Sequence, residues 1–228
     1  MQGISDDLIR LVIDHIRQQI FESKTLTPGD KVSERELSRV LNISRAPVRE
    51  ALRELEEQGF ITSVKYRGWY VPDFTEEEAV EINSIRTLLE LYLFEMAIRT
   101  NCYTDEDLAR AESLNDELEL LEREEDGSGK VYRFLEKELE FHLSLYAIAK
   151  GHCVLAQKLL KNIGYQIRLS LSYTDNLHRQ GFMEYSIHVH KLMIQYLKER
   201  DFESFRRMLS RRLDRNKDIR GLLDGGAK

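Results

Sequence analysis

Apolar residues recur every four positions near the start of the chain, which is the spacing of one face of an α-helix. This pattern predicts a helix over residues 6–22. A turn at residues 27–30 separates it from a shorter apolar stripe that ends at Leu41. Ser33 and Glu36 fit the capping box that opens a second helix there. The chain therefore begins with two amphipathic helices joined by a turn.

A third helix is predicted to begin at Arg45, after a short connection. Ser44 precedes it as the N-cap residue, and we expect its hydroxyl to accept a backbone N–H of the first turn. Pro47 is tolerated in that turn because a backbone N–H there has no intrahelical acceptor. The apolar residues of this helix share one face, and its arginines share another. They are Val48, Ala51, Leu52 and Leu55, and Arg45, Arg49 and Arg53.

A helix with one apolar face and one arginine-rich face can pack on a domain core and still enter the major groove of DNA. The unpaired backbone N–H groups at its N-terminal end attract phosphate. An ordinary amphipathic helix with solvated arginines has the same pattern. The choice between the two therefore depends on the segments that flank the helix.

A β-hairpin is predicted directly after the third helix, which ends at Gly59. Its strands are expected at residues 61–65 and 69–71. Lys65 and Arg67 lie near the tip, where they can contact phosphate or enter the minor groove, and Gly68 permits close approach of the backbone. This hairpin is either the wing of a winged helix–turn–helix or a small cap on the domain.

The pattern after Pro72 is helical throughout, and Thr75 with Glu78 fits another capping box. Six helices form a bundle large enough to enclose a ligand pocket. We therefore predict a mainly α fold, with a winged helix–turn–helix domain at residues 1–72, a linker at 73–75 and an all-α domain at 76–228. The six helices are expected near residues 76–99, 105–124, 130–149, 154–173, 184–199 and 202–220.

The net charge of −6 lies entirely in the second part of the chain. Residues 1–72 contain 11 Lys/Arg and 11 Asp/Glu, whereas residues 73–228 contain 23 and 29. A neutral first part still allows one basic face. The two cysteines have no metal-binding spacing. Acidic residues near the N-terminus argue against a signal peptide, and no apolar run approaches the ~18 residues of a membrane helix. We expect a cytoplasmic protein without a membrane partner.

The first part of the chain resembles the GntR family of bacterial transcription regulators. The resemblance is carried by residues 26–37, 44–52, 55–61 and 68–71, in that order. It implies a winged helix–turn–helix that binds a palindromic DNA operator as a homodimer. By position, the family resemblance assigns DNA contacts to Arg35, Ser44, Arg45, Arg49 and Gly68.

The second part is similar to the FCD effector domain of the FadR subfamily, through residues 85–90, 138–142 and 190–194. In many members an aspartate and three histidines line a pocket, hold a divalent metal ion and bind small organic or sugar acids. This chain differs from the pattern at two positions. Glu138 replaces the usual aspartate, and Arg212 stands near the place of the third histidine.

Glu138 and His142 are four residues apart on a predicted helix, so both can ligate one ion. From spacing alone, such a Glu/His pair is more often a surface or intrahelical contact. The FCD resemblance adds His190, and it implies that the three side chains hold one divalent metal ion of the zinc, nickel or manganese class. Arg212 suggests another chemistry, because a guanidinium binds carboxylate or phosphate in bidentate fashion. Arg212, with Arg86, would then hold an anionic effector directly. The predicted effector site is Arg86, Glu138, His142, His190 and Arg212.

These features predict a ligand-responsive DNA-binding transcription regulator, most often a repressor in this family. A small organic or sugar acid would release it from its operator. The first alternative is a metal-dependent hydrolase that uses Glu138, His142 and His190, but the sequence contains no nucleophile motif and no His-Glu-x-x-His pattern. The second is an architectural DNA-binding protein without an effector. We predict no catalytic residues.

Overall fold

The computed structural model describes residues 2–73, 75–125, 129–173 and 181–211. The chain begins with three helices that enclose the first hydrophobic core. Three short antiparallel strands form one small sheet in the order β1–β3–β2. The elements are α1 (Gln2–Phe21), β1 (Lys31–Val32), α2 (Glu34–Leu41), α3 (Arg45–Glu57), β2 (Thr62–Val64) and β3 (Gly68–Tyr70).

The local sequence explains where these elements begin and end. The Ser33 hydroxyl accepts the backbone N–H of Glu36 at 3.3 Å and caps α2, as predicted. Gly59 adopts a left-handed backbone with a φ of 73° just after α3, which is a common way for a helix to end. Strand β1 was not predicted, because two residues are too few to show the alternation of a strand.

Six further helices follow in the described part of the chain, close to the predicted positions. Complete capping boxes open two of them, α4 through Thr75 and Glu78 and α5 through Thr104 and Asp107. These helices are α4 (Glu76–Thr100), α5 (Asp105–Arg123), α6 (Lys130–Ala147), α7 (Val154–Tyr173), α8 (Phe182–Glu199) and α9 (residues 202–211).

The helical bundle is built around its own hydrophobic core. Helix α5 packs against α6 and α8, and α4 packs against α7. Phe94, Phe134, Phe141 and Phe205 are fully buried in this core. None of the described helices combines the length and apolar character that crossing a membrane requires.

Aromatic residues connect the bundle to the winged part. Leu135 of α6 is buried in the same cluster as the core of the first three helices. The rings of Phe21 and Tyr132 lie 5.0 Å apart, and those of Phe60 and Tyr165 lie 6.3 Å apart. Helices α6 and α7 therefore contact the winged part directly.

Candidate functional site

Helix α3 separates apolar and cationic residues as its sequence predicts. Val48, Ala51, Leu52 and Leu55 are fully buried. Arg45, Arg49 and Arg53 are all exposed. Arg53 lies furthest along the helix and lines a cleft that α3 forms with Lys158 and Lys161 of α7. The cationic surface directed away from the bundle therefore centres on Arg45 and Arg49.

The predicted hydrogen bond at the start of α3 is absent. Ser44 has the extended backbone of an N-cap residue, but its side chain makes no cap hydrogen bond. A capping hydroxyl accepts the N–H of the second or third helical residue, and the third is Pro47, which has no N–H. Ser44 is instead exposed beside Arg45 at the N-terminal end of the helix.

Arg49 is held by a carboxylate of α2. Its Nη2 lies 3.1 Å from Oε2 of Glu34, and the Trp69 indole N–H donates to Oε1 of Glu34 at 3.2 Å. The Arg49 guanidinium is the main reason why the pKa of Glu34 is lowered. Glu34 thus links α2, α3 and β3, a role that its sequence position did not reveal.

The hairpin tip carries an aromatic residue between two cations. Lys65, Tyr66 and Arg67 are all exposed, and Tyr66 is 95% exposed with a left-handed φ of 65°. Gly68, which begins β3, has a φ of 101° that favours glycine. Arg35 is exposed on α2. Tyr66 was not singled out from the sequence, although its place between two basic residues was visible.

A buried cluster of one carboxylate and two imidazoles lies inside the bundle. Glu138 and His142 project from α6 and His190 projects from α8, and each offers one ligand atom within 4.8 Å of the others. Oε1 of Glu138 is 3.6 Å from Nε2 of His142 and 3.4 Å from Nε2 of His190. The structure therefore brings together the three side chains that the sequence predicted as ligands.

Neighbouring residues orient this cluster. The Ser186 hydroxyl donates to Oε1 of Glu138 at 2.8 Å. Nδ1 of His190 lies 3.2 Å from Oδ1 of Asn115, which is buried on α5. The His190 ring also stacks on Phe141, with ring centres 3.7 Å apart. Asn115 and Ser186 were missed, because residues so far apart in sequence share no spacing signal.

A buried ion pair flanks the cluster on the α4 side. Nε of Arg86 donates to Oε1 of Glu90 at 2.8 Å, and the Tyr146 hydroxyl donates to the same oxygen at 2.6 Å. Nδ1 of His142 lies 3.8 Å from that oxygen. Burial and the adjacent carboxylate raise the pKa of Tyr146. Arg86 and Glu90 are four residues apart in the sequence, and so are His142 and Tyr146. This spacing would have predicted that each pair shares a helix face.

The protonation states of Glu138 and His142 suit a metal ion. Burial lowers the pKa of His142 to about 3, and the Arg86 cation contributes to that shift. Burial raises the pKa of Glu138, but His190 and His142 outweigh this effect and hold it well below its usual value. At neutral pH His142 is thus neutral and Glu138 is ionised, which are the forms that bind metal.

Four buried polar atoms around the cluster have no hydrogen-bond partner among the described residues. They are Nη2 of Arg86, Oε2 of Glu138, Nδ1 of His142 and Nε2 of His190. Buried polar atoms are normally paired, so four unpaired atoms in one place indicate a site built for a bound group. His188, two residues before His190 on α8, is exposed and is not part of the cluster. Arg212 lies outside the described residues.

A surface cleft approaches the cluster from one side. It lies between α5 and α8, has a volume of about 540 Å³, and reaches Asn115. Lys191 and Lys198 line the same cleft. Because Asn115 bonds His190, this cleft lies within one side chain of the candidate ligands.

Comparison with known families agrees with both parts of the structure. Residues 8–71 match the model of bacterial regulatory proteins of the gntR family, and residues 81–215 match the FCD domain. The chain belongs to the GntR family and carries an FCD domain. Like its relatives, this GntR/FCD protein is a transcription regulator. It is not an enzyme.

Two curated relatives cover most of this GntR/FCD regulator. It is 29% identical to the Nta operon transcriptional regulator of Aminobacter aminovorans over 170 residues, which is 73% of this chain and 74% of that protein. It is 25% identical to the HTH-type transcriptional regulator McbR of Escherichia coli (strain K12) over 191 residues, 84% of this chain and 83% of that protein.

A solved structure supports the fold. A GntR transcriptional regulator from Rhodococcus sp. RHA1 superposes with a TM-score of 0.69 at 21% identity, over 96% of this chain and 98% of that one. The winged helix–turn–helix followed by a helical domain is therefore confirmed as the fold class.

Proposed function

We propose that this regulator binds a palindromic DNA operator as a homodimer and that a small carboxylic or sugar acid releases it. The observation that carries the proposal is the exposed pair Arg45 and Arg49 on a helix whose opposite face is fully buried. A rigid helix that presents cations on one face fits the major groove. The proposed domains are residues 1–72 and 76–228, with a linker between them.

DNA contacts are proposed at three places on the winged part. The N-terminal end of α3 would enter the major groove, where Arg45 and Arg49 would contact the DNA. Ser44 would contact phosphate. The hairpin tip would reach the adjacent backbone or minor groove with Lys65, Tyr66 and Arg67, and Gly68 would let the backbone approach. Arg35 of α2 would contact phosphate at the groove edge.

Glu138, His142 and His190 are the proposed ligands of one divalent metal ion. The residues fit such an ion because a carboxylate and two imidazoles suit zinc, nickel or manganese. When bound, the metal ion would attract an anionic oxygen of the effector. Arg86 lies on the α4 side with its Nη2 unpaired, so we propose that it binds the same anionic group. We propose Arg212 as a second residue that binds this anionic group.

Helix α6 supplies a physical route from the effector site to the DNA-binding part. Tyr132 and Leu135 of this helix pack against the winged part. Glu138 follows about one turn after Leu135 on the same helix, and His142 follows one turn after Glu138. A ligand that shifts α6 would displace the aromatic contacts with Phe21. We propose that the acid thereby lowers operator affinity, which is the linkage expected of a repressor.

A duplex selection tests the proposal. Wild-type protein is incubated with a random pool of double-stranded DNA. The bound duplexes are recovered over several rounds, and the enriched duplexes are sequenced. We expect an inverted repeat whose half-sites lie about one helical turn apart, because each chain contributes one α3. Failure to enrich any repeated half-site, with folded protein, would contradict the proposal.

The released state is tested with the same enriched duplex. Small carboxylic and sugar acids are screened for thermal stabilisation of the metal-loaded protein, and the hits are added to the DNA complex. We expect at least one acid that stabilises the protein also to weaken the complex. A protein that no acid stabilises would instead fit an architectural DNA-binding protein.

A further inference from the structure

An open cleft separates α3 of the winged part from α7 of the bundle. The chain meets α7 just after the end of α3, where a Cβ on Gly59 would lie 3.8 Å from the Cβ of Tyr165 and the rings of Phe60 and Tyr165 lie 6.3 Å apart. We name this junction the hinge contact. From there the cleft extends along both helices to Glu50 of α3 and Lys158 of α7, and its volume is about 880 Å³. The two helices are therefore joined at one end of the cleft and separated along the rest.

The two walls of this cleft carry opposite charges. The α7 wall presents two cations, and the α3 wall presents three carboxylates beside one guanidinium. The charged lining residues are Lys158 and Lys161 on α7, and Glu50, Arg53, Glu54 and Glu57 on α3, and all of them are exposed. Neither lysine forms an ion pair with a carboxylate of the described residues. Opposite charges that face each other attract, so a narrower cleft would gain interactions that the open cleft lacks.

The charges on the two walls are in register with each other. Glu54 lies five residues from the hinge contact along α3, and Lys161 lies four residues from it along α7. Glu50 and Lys158 lie nine and seven residues from it. At the rise of an α-helix, the first two are about 6–8 Å from the hinge contact and the second two about 10–14 Å. Closing the cleft would therefore bring Glu54 to Lys161 and Glu50 to Lys158.

We infer that the acid closes this cleft and that α7 then clasps α3 in a form that cannot bind the operator. The two pairs of opposite charge, Glu54 with Lys161 and Glu50 with Lys158, hold the closed form. The inference names the state that the acid selects, and in that respect it rests on the proposed function.

Closure would displace the DNA-contacting end of α3 further than the rest of the helix. Arg49 and Arg45 lie ten and fourteen residues before Gly59, which corresponds to about 15–21 Å of helix. The helix is continuous over Arg45–Glu57, so a rotation at the hinge contact moves these two guanidinium groups more than it moves Glu54. The closed protein would no longer present them in the position that the major groove requires.

Close packing of α7 on α6 connects the hinge contact to the candidate ligands. A Cβ on Gly164 would lie 2.7 Å from Cδ1 of Leu139, so the backbone of α7 sits directly against that side chain. Leu139 follows Glu138 on α6, and Gly164 precedes Tyr165 of the hinge contact. An acid that shifts α6 would therefore move α7 at the point about which the cleft closes.

A disulfide across the cleft tests whether the closed form is the released form. Glu54→Cys and Lys161→Cys are introduced together into the full chain, with Cys102 and Cys153 replaced by serine. Oxidation should join the two new cysteines, and the oxidised protein should bind the enriched duplex at least tenfold more weakly than the same protein after reduction. The acid found by thermal stabilisation should speed formation of this disulfide at least threefold, because it favours the closed cleft.

Glu119→Cys with Lys191→Cys is the matched control in the same serine background. These residues form an ion pair between α5 and α8 within the bundle, so a disulfide there leaves the cleft open. DNA affinity of this control should be the same before and after reduction. The inference would be overturned if the disulfide between positions 54 and 161 formed no faster with the acid, or if it left DNA affinity unchanged.

Removing the two lysine charges tests the clasp without a cross-link. Lys158→Gln with Lys161→Gln should bind DNA like its charge-matched control, Lys150→Gln with Lys198→Gln, whose lysines are exposed outside the cleft. Release should then need about three- to tenfold more acid than in the control, because two exposed ion pairs are lost from the closed form. If the cleft variant bound DNA more weakly than the control without acid, the lysines would contact DNA instead, and the inference would be overturned.

Wild type measured beside these variants separates the two claims. A wild type that binds the duplex but is released by no acid contradicts the proposed function. A wild type that the acid does release, while the protein locked by the disulfide still binds DNA normally, contradicts only this inference.

Discussion

Arg49 on α3 and Glu34 on α2 form an ion pair, with 3.1 Å between Nη2 and Oε2. The arginine is still 54% exposed, so the pair is weak and DNA can compete for the guanidinium. The same carboxylate accepts the Trp69 N–H and so fixes the hairpin relative to α3. Glu34 therefore positions Arg49 in the DNA-free protein without blocking it.

Glu34→Gln is expected to bind the enriched duplex at least as tightly as wild type. The glutamine can still accept from Trp69, but Arg49 loses its competing anion. We expect the slope of log affinity against log salt to become steeper by about one phosphate contact. Fluorescence anisotropy at several salt concentrations measures this slope. An unchanged slope would mean that Arg49 does not contact DNA.

His142→Ala is expected to lose the divalent metal. His188→Ala is the matched control, since His188 lies on α8 only two residues from His190 but is exposed. Elemental analysis of protein purified without chelator or nickel resin should find about one metal per chain in wild type and in the control. Equal metal content in all three proteins would place the metal elsewhere.

Asn115→Ala is expected to weaken metal binding without abolishing it. When Asn115 accepts a hydrogen bond from Nδ1 of His190, it leaves the lone pair on Nε2, the nitrogen nearest Glu138. Loss of such an orienting partner costs about 10–100-fold in metal affinity. Competition with a chromogenic chelator gives the affinity, and an unchanged value would show that Asn115 does not orient His190.

Arg86→Lys is expected to keep the fold but lose affinity for the acid. Lysine retains the charge opposite Glu90 but not the planar fork that binds a carboxylate. Arg86→Met should instead destabilise the chain by about 3–5 kcal/mol, because Glu90 would remain buried without its cation. Calorimetry gives acid affinity, and chemical denaturation gives stability. An Arg86→Lys protein that binds the acid normally would exclude Arg86 from the effector site.

Tyr132→Ala is expected to uncouple the two parts of the protein. Its ring contacts Phe21 at 5.0 Å, and its helix also carries the candidate ligands. Without the acid, DNA affinity should change little, but the weakening caused by the acid should largely disappear. Leu120→Ala serves as the control on the neighbouring helix α5. If Tyr132→Ala responds normally to the acid, coupling does not pass through this contact.

Much of this fold was predictable because its signals are local. The apolar spacing in residues 6–22 and the caps Ser33 and Thr75 depend only on nearby residues, and the structure confirms the predicted helices closely. Strand β1 gave no such signal, because it forms through pairing with the distant β3. The absence of a capping hydrogen bond from Ser44 was also predictable, because Pro47 has no backbone N–H to donate to the Ser44 hydroxyl.

The candidate site was only partly predictable. Glu138 and His142 share a helix face, and their four-residue spacing is readable in the sequence. Asn115 and Ser186 reach the cluster only because α5, α6 and α8 pack together, which no periodicity reveals. The pairing of Arg49 with Glu34 likewise depends on the crossing of α2 and α3.

The proposed function requires that Arg49 contacts DNA, and fluorescence anisotropy with the enriched duplex measures this contact. Wild type, Arg49→Ala and the control Arg110→Ala, an exposed arginine of α5, are titrated under the same salt. We predict that Arg49→Ala loses about 1–3 kcal/mol of binding free energy and that Arg110→Ala binds like wild type. Equal affinity of Arg49→Ala and wild type, with both proteins folded, would show that Arg49 does not contact DNA and that α3 is not the recognition helix.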